Sequence, residues 1–266
     1  MKKIIGLAAV ARSGKDTVAN ILLSNENVAA YALADPLKSG CQHLFGLTDA
    51  QTWEDNYKEV EIPLWGRSPR QLFQEVGTEW MRNHNPEFWL MRADREINGA
   101  PGSTTPAFPQ GYSSPKDSIM FACEAFFGFT SDQVRDAELS NEVDPFWGTP
   151  PAQALALIEK LTLQSFPDWY AIRPQAKSEM TIAPKHGIQD ADTIIIKDVR
   201  FENEANFIRS HNGEIWHIVR PNAQKVNVHS SEAGISSKPE DRTILNNGSL
   251  DDLSQKVIDA WDQFKL

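Results

Sequence analysis

The chain has 266 residues, 41% of them apolar, which is a globular composition and enough length for one large or two small domains. Its 26 Lys and Arg against 36 Asp and Glu leave a formal net charge of −10, which argues against a nucleic-acid surface but allows a local basic pocket for one small phosphate compound. No apolar run reaches the roughly 18 residues a membrane-spanning helix needs, and Cys41 and Cys123 are too few for a disulfide framework or a cysteine zinc site.

The opening MKKIIGLAAVA has the lysines and apolar residues of a secretory signal, but Arg12, Lys15 and Asp16 interrupt it. It reads better as a buried strand from Lys3 to Val10, a turn through Gly14, and a helix from Thr17 to Leu23. A second strand is expected from Val28 to Leu33, and Pro36 suits the first turn of a helix running to Leu44. Leu72, Phe73, Val76 and Trp80 predict a helix over 70–81. The Pro/Gly/Ser-rich stretch 101–120 reads as a linker. Further on, Thr193 to Ile196 is a β-branched strand, Glu202 to Arg209 a helix and Glu214 to Val219 another strand. Leu250 to Phe264 is an amphipathic helix with Ser249 as N-cap and Asp251 and Asp252 at its positive end. This alternation predicts an α/β fold whose mainly parallel sheet is covered by helices.

An internal repeat is present at an offset of 82 residues, the spacing of Cys41 and Cys123. Phe45, Gly46, Thr48 and Gln51 recur as Phe127, Gly128, Thr130 and Gln133. Pro63, Trp65 and Gly66 recur as Pro145, Trp147 and Gly148. After one residue of slippage, Pro86 to Arg92 resembles Pro167 to Arg173. Residues 117–173 therefore read as a copy of 35–92. The copy departs where chemistry is expected: Lys38 becomes Met120 and Arg70 becomes Ala152, so the second copy is expected to be structural.

Three segments carry chemistry. In Ala9-Val10-Ala11-Arg12-Ser13-Gly14-Lys15-Asp16-Thr17, strand, turn and helix are ordered as in a phosphate loop, whose inward backbone N–H groups, lysine and helix N-terminus hold phosphates. Ala9 stands where that motif has its first glycine, and Asp16 fills the Ser/Thr slot. Asp198 to Glu204 follows a strand, the place where open α/β sheets bind ligands; by itself it reads better as a solvated strand end with Arg200 paired to Glu204. Arg70 and Gln74 share a helix face, so one can grip phosphate while the other reads a base edge; alone, a plain surface helix is the commoner explanation. The histidines at 43, 84, 186, 211, 217 and 229 show no metal-ligand spacing, and there is no GxSxG elbow.

Together these residues resemble the phage-type deoxynucleoside monophosphate kinases, within the P-loop kinase class. The pieces occur in that family's order: RSGKDT at 12–17, LADPLK at 33–38, RQLFQEVGTEW at 70–80 and FWLMR at 88–92. Then follow DVRFENEA at 198–205, HIVRP at 217–221, HSSEAGI at 229–235 and NNGSLDDL at 246–253. GKDT is usual in the family, so Asp16 fits, whereas Ala9 is a departure. The resemblance implies transfer of the ATP γ-phosphoryl to a dNMP for DNA precursor synthesis, with Mg²⁺.

By that resemblance Lys15, Asp16, Asp198, Arg200 and Glu204 form the catalytic centre. Arg12, Ser13, Gly14, Lys15, Thr17 and Arg220 bind ATP, and Asp16 and Thr17 organise the metal. Asp35, Lys38, Arg70, Gln74, Gly77, Thr78, Trp89 and Arg92 bind the monophosphate. Residues 1–34 and 190–266 would form the kinase core, 35–100 the monophosphate-binding region, and 121–189 a duplicated insertion and lid, with Arg173, Lys177 and Lys185 as lid residues in 173–188. The expected partners are ATP and a dNMP, without nucleic acid or membrane; the repeat could extend the interface of a homodimer. The expected compartment is the cytoplasm of an infected bacterial host. Two other readings remain at this point: another small-molecule kinase on this scaffold, such as a phosphomevalonate or dephospho-coenzyme A kinase, and a nucleotide-binding module without turnover.

Overall fold

The computed structural model describes residues 2–10, 12–99, 114–176, 187–197, 199–221 and 235–265. The chain divides into two units, Met1–Ala32 with Lys185–Leu266, and Leu33–Pro184.

The first unit carries β1 (Lys3–Ala9), α1 (Lys15–Leu23) and β2 (Val28–Tyr31) from the start of the chain. Its later part supplies β3 (Thr193–Lys197), which belongs with β1, and β4 (Glu214–Val219) and β5 (Arg242–Leu245). The strand order is β2-β3-β1-β4-β5, and every pairing is parallel. Ile4, Ile5 and Leu7 of β1 and Ile194 and Ile195 of β3 have no exposed surface, as strands covered on both faces require. Ile5, Leu7, Ile195 and Trp216 pack with Val18 and Leu22 of α1 and with Leu253, Val257 and Trp261 of the C-terminal helix, Leu250–Lys265. The short edge strand β5 has no apolar run that would announce it; its pairing with β4 defines it.

The second unit is helical. Its first half holds α2 (Asp35–Phe45), α3 (Asp49–Trp53), α4 (Pro69–Gln74) and α5 (Phe88–Asn98). The helix expected over 70–81 is present, but from Glu75 to Arg82 it widens into a π-helix. The second half holds α6 (Pro115–Phe127), α7 (Ser131–Arg135), α8 (Pro151–Ser165) and α9 (Trp169–Ile172). Residues 115–120, read as linker, are the first turns of α6. Pro115 at the helix start and a reciprocal cap between Ser114 and Asp117 explain why polar residues begin a helix there.

The two halves repeat several of each other's caps and hydrogen bonds. α2 and α6 end on Gly46 and Gly128, both left-handed at φ 64° and 67°. Thr48 with Gln51, and Thr130 with Gln133, make the same capping box. The Trp65 indole donates to the Phe45 carbonyl and the Trp147 indole to the Phe127 carbonyl, each at 2.8 Å. The ends of the copies are then exchanged. Arg92 Nε donates to the carbonyl of Ala125 in the second copy at 3.0 Å. Arg173 Nε and Nη2 donate to the carbonyl of His43, the equivalent residue of the first copy, at 3.1 and 2.9 Å. Trp169 likewise donates to the Leu44 carbonyl, while Phe88 lies on the rings of Phe127 and Trp147. α2 packs on α6 so closely that a Cβ on Gly40 would meet the Phe126 ring at 2.0 Å. A single apolar core spans both copies.

Burial in this core, with the Arg173 charge beside it, lowers the His43 pKa to about 4. Between pH 6.5 and 4 the unfolded chain binds a proton at this position that the native state refuses. Acidification through that window is therefore expected to remove roughly 3 kcal/mol of stability, with no further loss from this group below it. Urea unfolding at pH 7 and pH 4 checks this: a His43→Asn variant should show a smaller pH dependence than the parent, and an equal one would refute the assignment.

Candidate active site

Both units hold residues that the resemblance implicates. In the first, β1 ends at Ala9 and the chain turns through Arg12 and Gly14, both left-handed at φ 63° and 95°, into α1 at Lys15. Ser13 N–H donates to the Val10 carbonyl at 3.3 Å and closes the turn, and Val18 N–H donates to Gly14 to start the helix. Gly14 is the N-cap, in a conformation that L side chains rarely adopt. The result is a helix N-terminus with a lysine on its first residue, an anion-binding arrangement from backbone geometry alone. Lys15 Nζ lies 3.2 Å from Asp16 Oδ1, and the Asp16 side chain is 86% exposed. Arg12 is exposed, Ser13 is buried and Thr17 is partly buried.

Among the described residues no group of three or more His, Cys, Asp or Glu could hold a metal. Mg²⁺ is ordinarily held by one or two protein oxygens together with substrate phosphates. The adjacent carboxylate of Asp16 and hydroxyl of Thr17 at the start of α1 fit that limited donor set.

Arg200 follows β3 and Arg220 follows β4, both exposed, so they share the carboxyl end of the sheet with the loop after β1. Glu204 belongs to the next helix, α10 (Glu202–Ser210). It is 4% exposed, and its carboxylate accepts the backbone N–H of Arg200 at 2.9 Å and of Phe201 at 3.2 Å. It caps α10 and fixes the backbone that carries Arg200. Asp198 lies outside the described residues.

In the second unit Arg70, Gln74 and Thr78 are exposed at successive turns of one continuous helix. The π-helical stretch holding Gly77 and Thr78 is a rare geometry that recurs at functional sites. Gly77 itself is buried, and a Cβ there would meet Leu37 at 2.6 Å, so it lets this helix approach α2. Lys38 of α2 lies 5.2 Å over the Trp53 ring. Desolvation lowers its pKa and the neighbouring Lys58 adds to the fall, while Asp35 and Asp55 oppose it. Arg70 pairs with Glu59, and its backbone N–H donates to the Lys58 carbonyl. Trp53, Lys58 and Glu59 escaped the sequence reading because Trp53 ends a five-residue helix too short to show a period, and Lys58 and Glu59 lie in the irregular stretch after it.

Trp89 and Arg92, expected beside the monophosphate, are interior residues. Trp89 is 5% exposed and its indole donates to the Gly77 carbonyl at 3.0 Å. Arg92 is 1% exposed and is spent on Ala125 and on Glu96, 2.7 Å away. Arg173, expected in a lid, is buried on His43, and Lys177 and Lys185 lie outside the described residues.

The equivalent face of the second copy is closed on itself. The Arg135 guanidinium sits 4.5 Å over Phe121 and pairs with Asp117 at 3.3 Å and Glu124 at 3.4 Å. These three charged residues occupy the positions of Trp53, Asp35 and Gln42 in the first copy.

A sequence model described as deoxynucleotide monophosphate kinase matches residues 3–62 and 178–257. The deoxynucleotide monophosphate kinase of Enterobacteria phage T4 is 25% identical over 260 residues, covering 96% of this chain and 97% of that protein. The enzyme of the same name from Escherichia phage RB69 is 24% identical over 270 residues, covering 96% of this chain and 98% of its own length. With over half of the sequence matched, and the match opening on the strand and phosphate loop that begin the sheet, this chain belongs to the deoxynucleotide monophosphate kinase family.

Proposed function

We propose that this protein transfers the γ-phosphoryl group of ATP to a deoxynucleoside monophosphate, giving the diphosphate and ADP. The observation that carries the reading is the turn at Gly14 that leads from β1 into the N-terminus of α1, with Lys15 as the first residue of that helix. Phosphoryl transfer asks a protein for positioning and charge neutralisation more than for covalent chemistry. Lys15, the loop amides and Arg12 bind the ATP phosphates, and Arg220 lies near the nucleotide. Mg²⁺, held through Asp16 and Thr17, supplies further charge neutralisation. Arg200, with Asp198 nearby in sequence, neutralises charge on the transferring group, and Glu204 holds Arg200 in place.

On the acceptor side, Arg70 and Lys38 grip the monophosphate, while Gln74 and Thr78 offer hydrogen bonds to the nucleoside. Arg70 exchanges its exposed partner Glu59 for phosphate. Gly77 and Trp89 act together in shaping that helix, and Asp35 balances Lys38. No described helix is long and apolar enough to cross a membrane.

ADP release from Mg·ATP with each dNMP in turn, beside the matching rNMPs, tests the reading and yields base and sugar preference together. Turnover with no dNMP by a folded chain that binds ATP would refute it. Arg70→Ala is expected to raise the KM for the dNMP by about 10–100-fold, the worth of a charged hydrogen bond. Ala152→Arg, at the equivalent position of the closed copy, is expected to leave kcat and both KM values unchanged. An effect of Ala152→Arg on dNMP affinity would show that the second copy takes ligand.

A further inference from the structure

Asn246 follows β5 directly and lies in the same unit as the phosphate loop. Its Nδ2 donates to the Ser13 carbonyl at 2.9 Å. It is also the nearest neighbour of Gly14, whose added Cβ would lie 2.5 Å from Asn246 Nδ2. The asparagine is itself firmly held. Its backbone N–H donates to the Val219 carbonyl at 2.8 Å. On either side of it, Lys256 Nζ binds the Leu245 carbonyl and Asn247 Oδ1, both at 2.8 Å. Ser249 and Asp252 then cap the C-terminal helix reciprocally.

We infer that Asn246 is a positioning residue for ATP, one that locks the Ser13–Gly14 peptide so that the Gly14 N–H faces the phosphates. The peptide unit is planar and trans, so the Ser13 carbonyl and the Gly14 N–H point in opposite directions. A donor that pins the carbonyl thereby fixes the N–H on the other side. The neighbouring residues do not enforce this orientation, because Gly14 is the residue type most permissive of a peptide flip. A flipped peptide would turn a carbonyl dipole toward the anion and cancel one donor of the loop. The pin must be a donor of asparagine length. A carboxylate cannot donate to a carbonyl, and a glutamine is one methylene longer in a space already closed against Gly14.

The inference rests on the phosphate loop being the ATP site, and the test separates the two. Mg·ATP binding without dNMP is measured calorimetrically on the full-length chain, and KM is measured for ATP and for dNMP. Asn246→Ala is expected to weaken ATP binding about tenfold, with the KM for dNMP unchanged. Asn246→Asp keeps the volume and is expected to do the same or worse, and Asn246→Gln is not expected to restore affinity. Unchanged ATP affinity in Asn246→Ala and Asn246→Asp would overturn the proposal. So would equal rises in both KM values with a lowered Tm, the signature of a merely structural contact. Should the parent bind ATP yet phosphorylate no dNMP, the proposed reaction fails while the ATP affinities still decide the role of Asn246. A parent that binds no ATP overturns both.

Discussion

Replacing Lys15 by alanine is expected to lower dNMP-dependent ADP release by about 10²–10³-fold, the usual cost of removing one group that stabilises transition-state charge. Lys15 stands on the first residue of α1, where its ammonium adds to the positive end of the helix dipole. The ion pair with Asp16 contributes at most about 1 kcal/mol to the fold, because that carboxylate is exposed. The thermal midpoint of Lys15→Ala should therefore lie close to that of the parent. Retention of more than a tenth of the parental kcat in a folded Lys15→Ala protein would remove this lysine from the transfer step. Loss of activity with loss of fold would instead make it a structural residue.

The largest stability effect is expected at Arg173. The side chain is 1% exposed, and its Nε and Nη2 both donate to the carbonyl of His43 near the end of α2. Arg173→Ala leaves that carbonyl without this donor and opens a cavity beneath Gly46, whose Cβ position lies 2.9 Å from the Arg173 guanidinium. The combined cost is about 3–5 kcal/mol, and the thermal midpoint of the helical unit should fall by roughly 10 °C. Arg92→Ala, its counterpart in the other copy, is expected to cost a similar amount, because the buried Arg92 donates through Nε to the equivalent carbonyl of Ala125 and pairs with Glu96. Below the lowered midpoint, Arg173→Ala should keep dNMP turnover with an unchanged KM for ATP. Selective loss of dNMP affinity with an intact fold would make Arg173 a ligand-binding residue and the second copy a working part of the site.

These variants also mark how far the amino-acid sequence carries. Strand β1, the turn at Gly14 and helix α1 were legible because a run of buried aliphatic residues, a glycine in a left-handed turn and a helix start are local events. The parallel, helix-covered sheet was legible for the same reason, since the aliphatic runs of β1 and β3 admit burial on both faces. The internal repeat was legible from matched side chains, and its capping boxes and glycine C-caps recur in both copies. Arg70 and Gln74 share an exposed helix face, as their i, i+4 spacing implies.

What the sequence could not decide is which charged residues face a ligand and which face the interior. Arg70 and Arg92 are both arginines on helices, yet one is exposed beside Glu59 and the other is buried on a carbonyl 33 residues further along. Glu204, which the resemblance implicates in catalysis, accepts two backbone donors at the start of α10, a contact that no local pattern announces. Asn246 is distant in sequence from the loop it touches and belongs to no periodic pattern. The exchange of Arg92 and Arg173 between copies is likewise invisible in the repeat, because matching sequences specify matching local structure but not which copy's end each arginine enters. Local propensity, hydrophobic period and turn chemistry determined the elements and their class. Burial, reciprocal packing and long-range hydrogen bonds, which depend on where those elements meet, decided the role of each polar side chain.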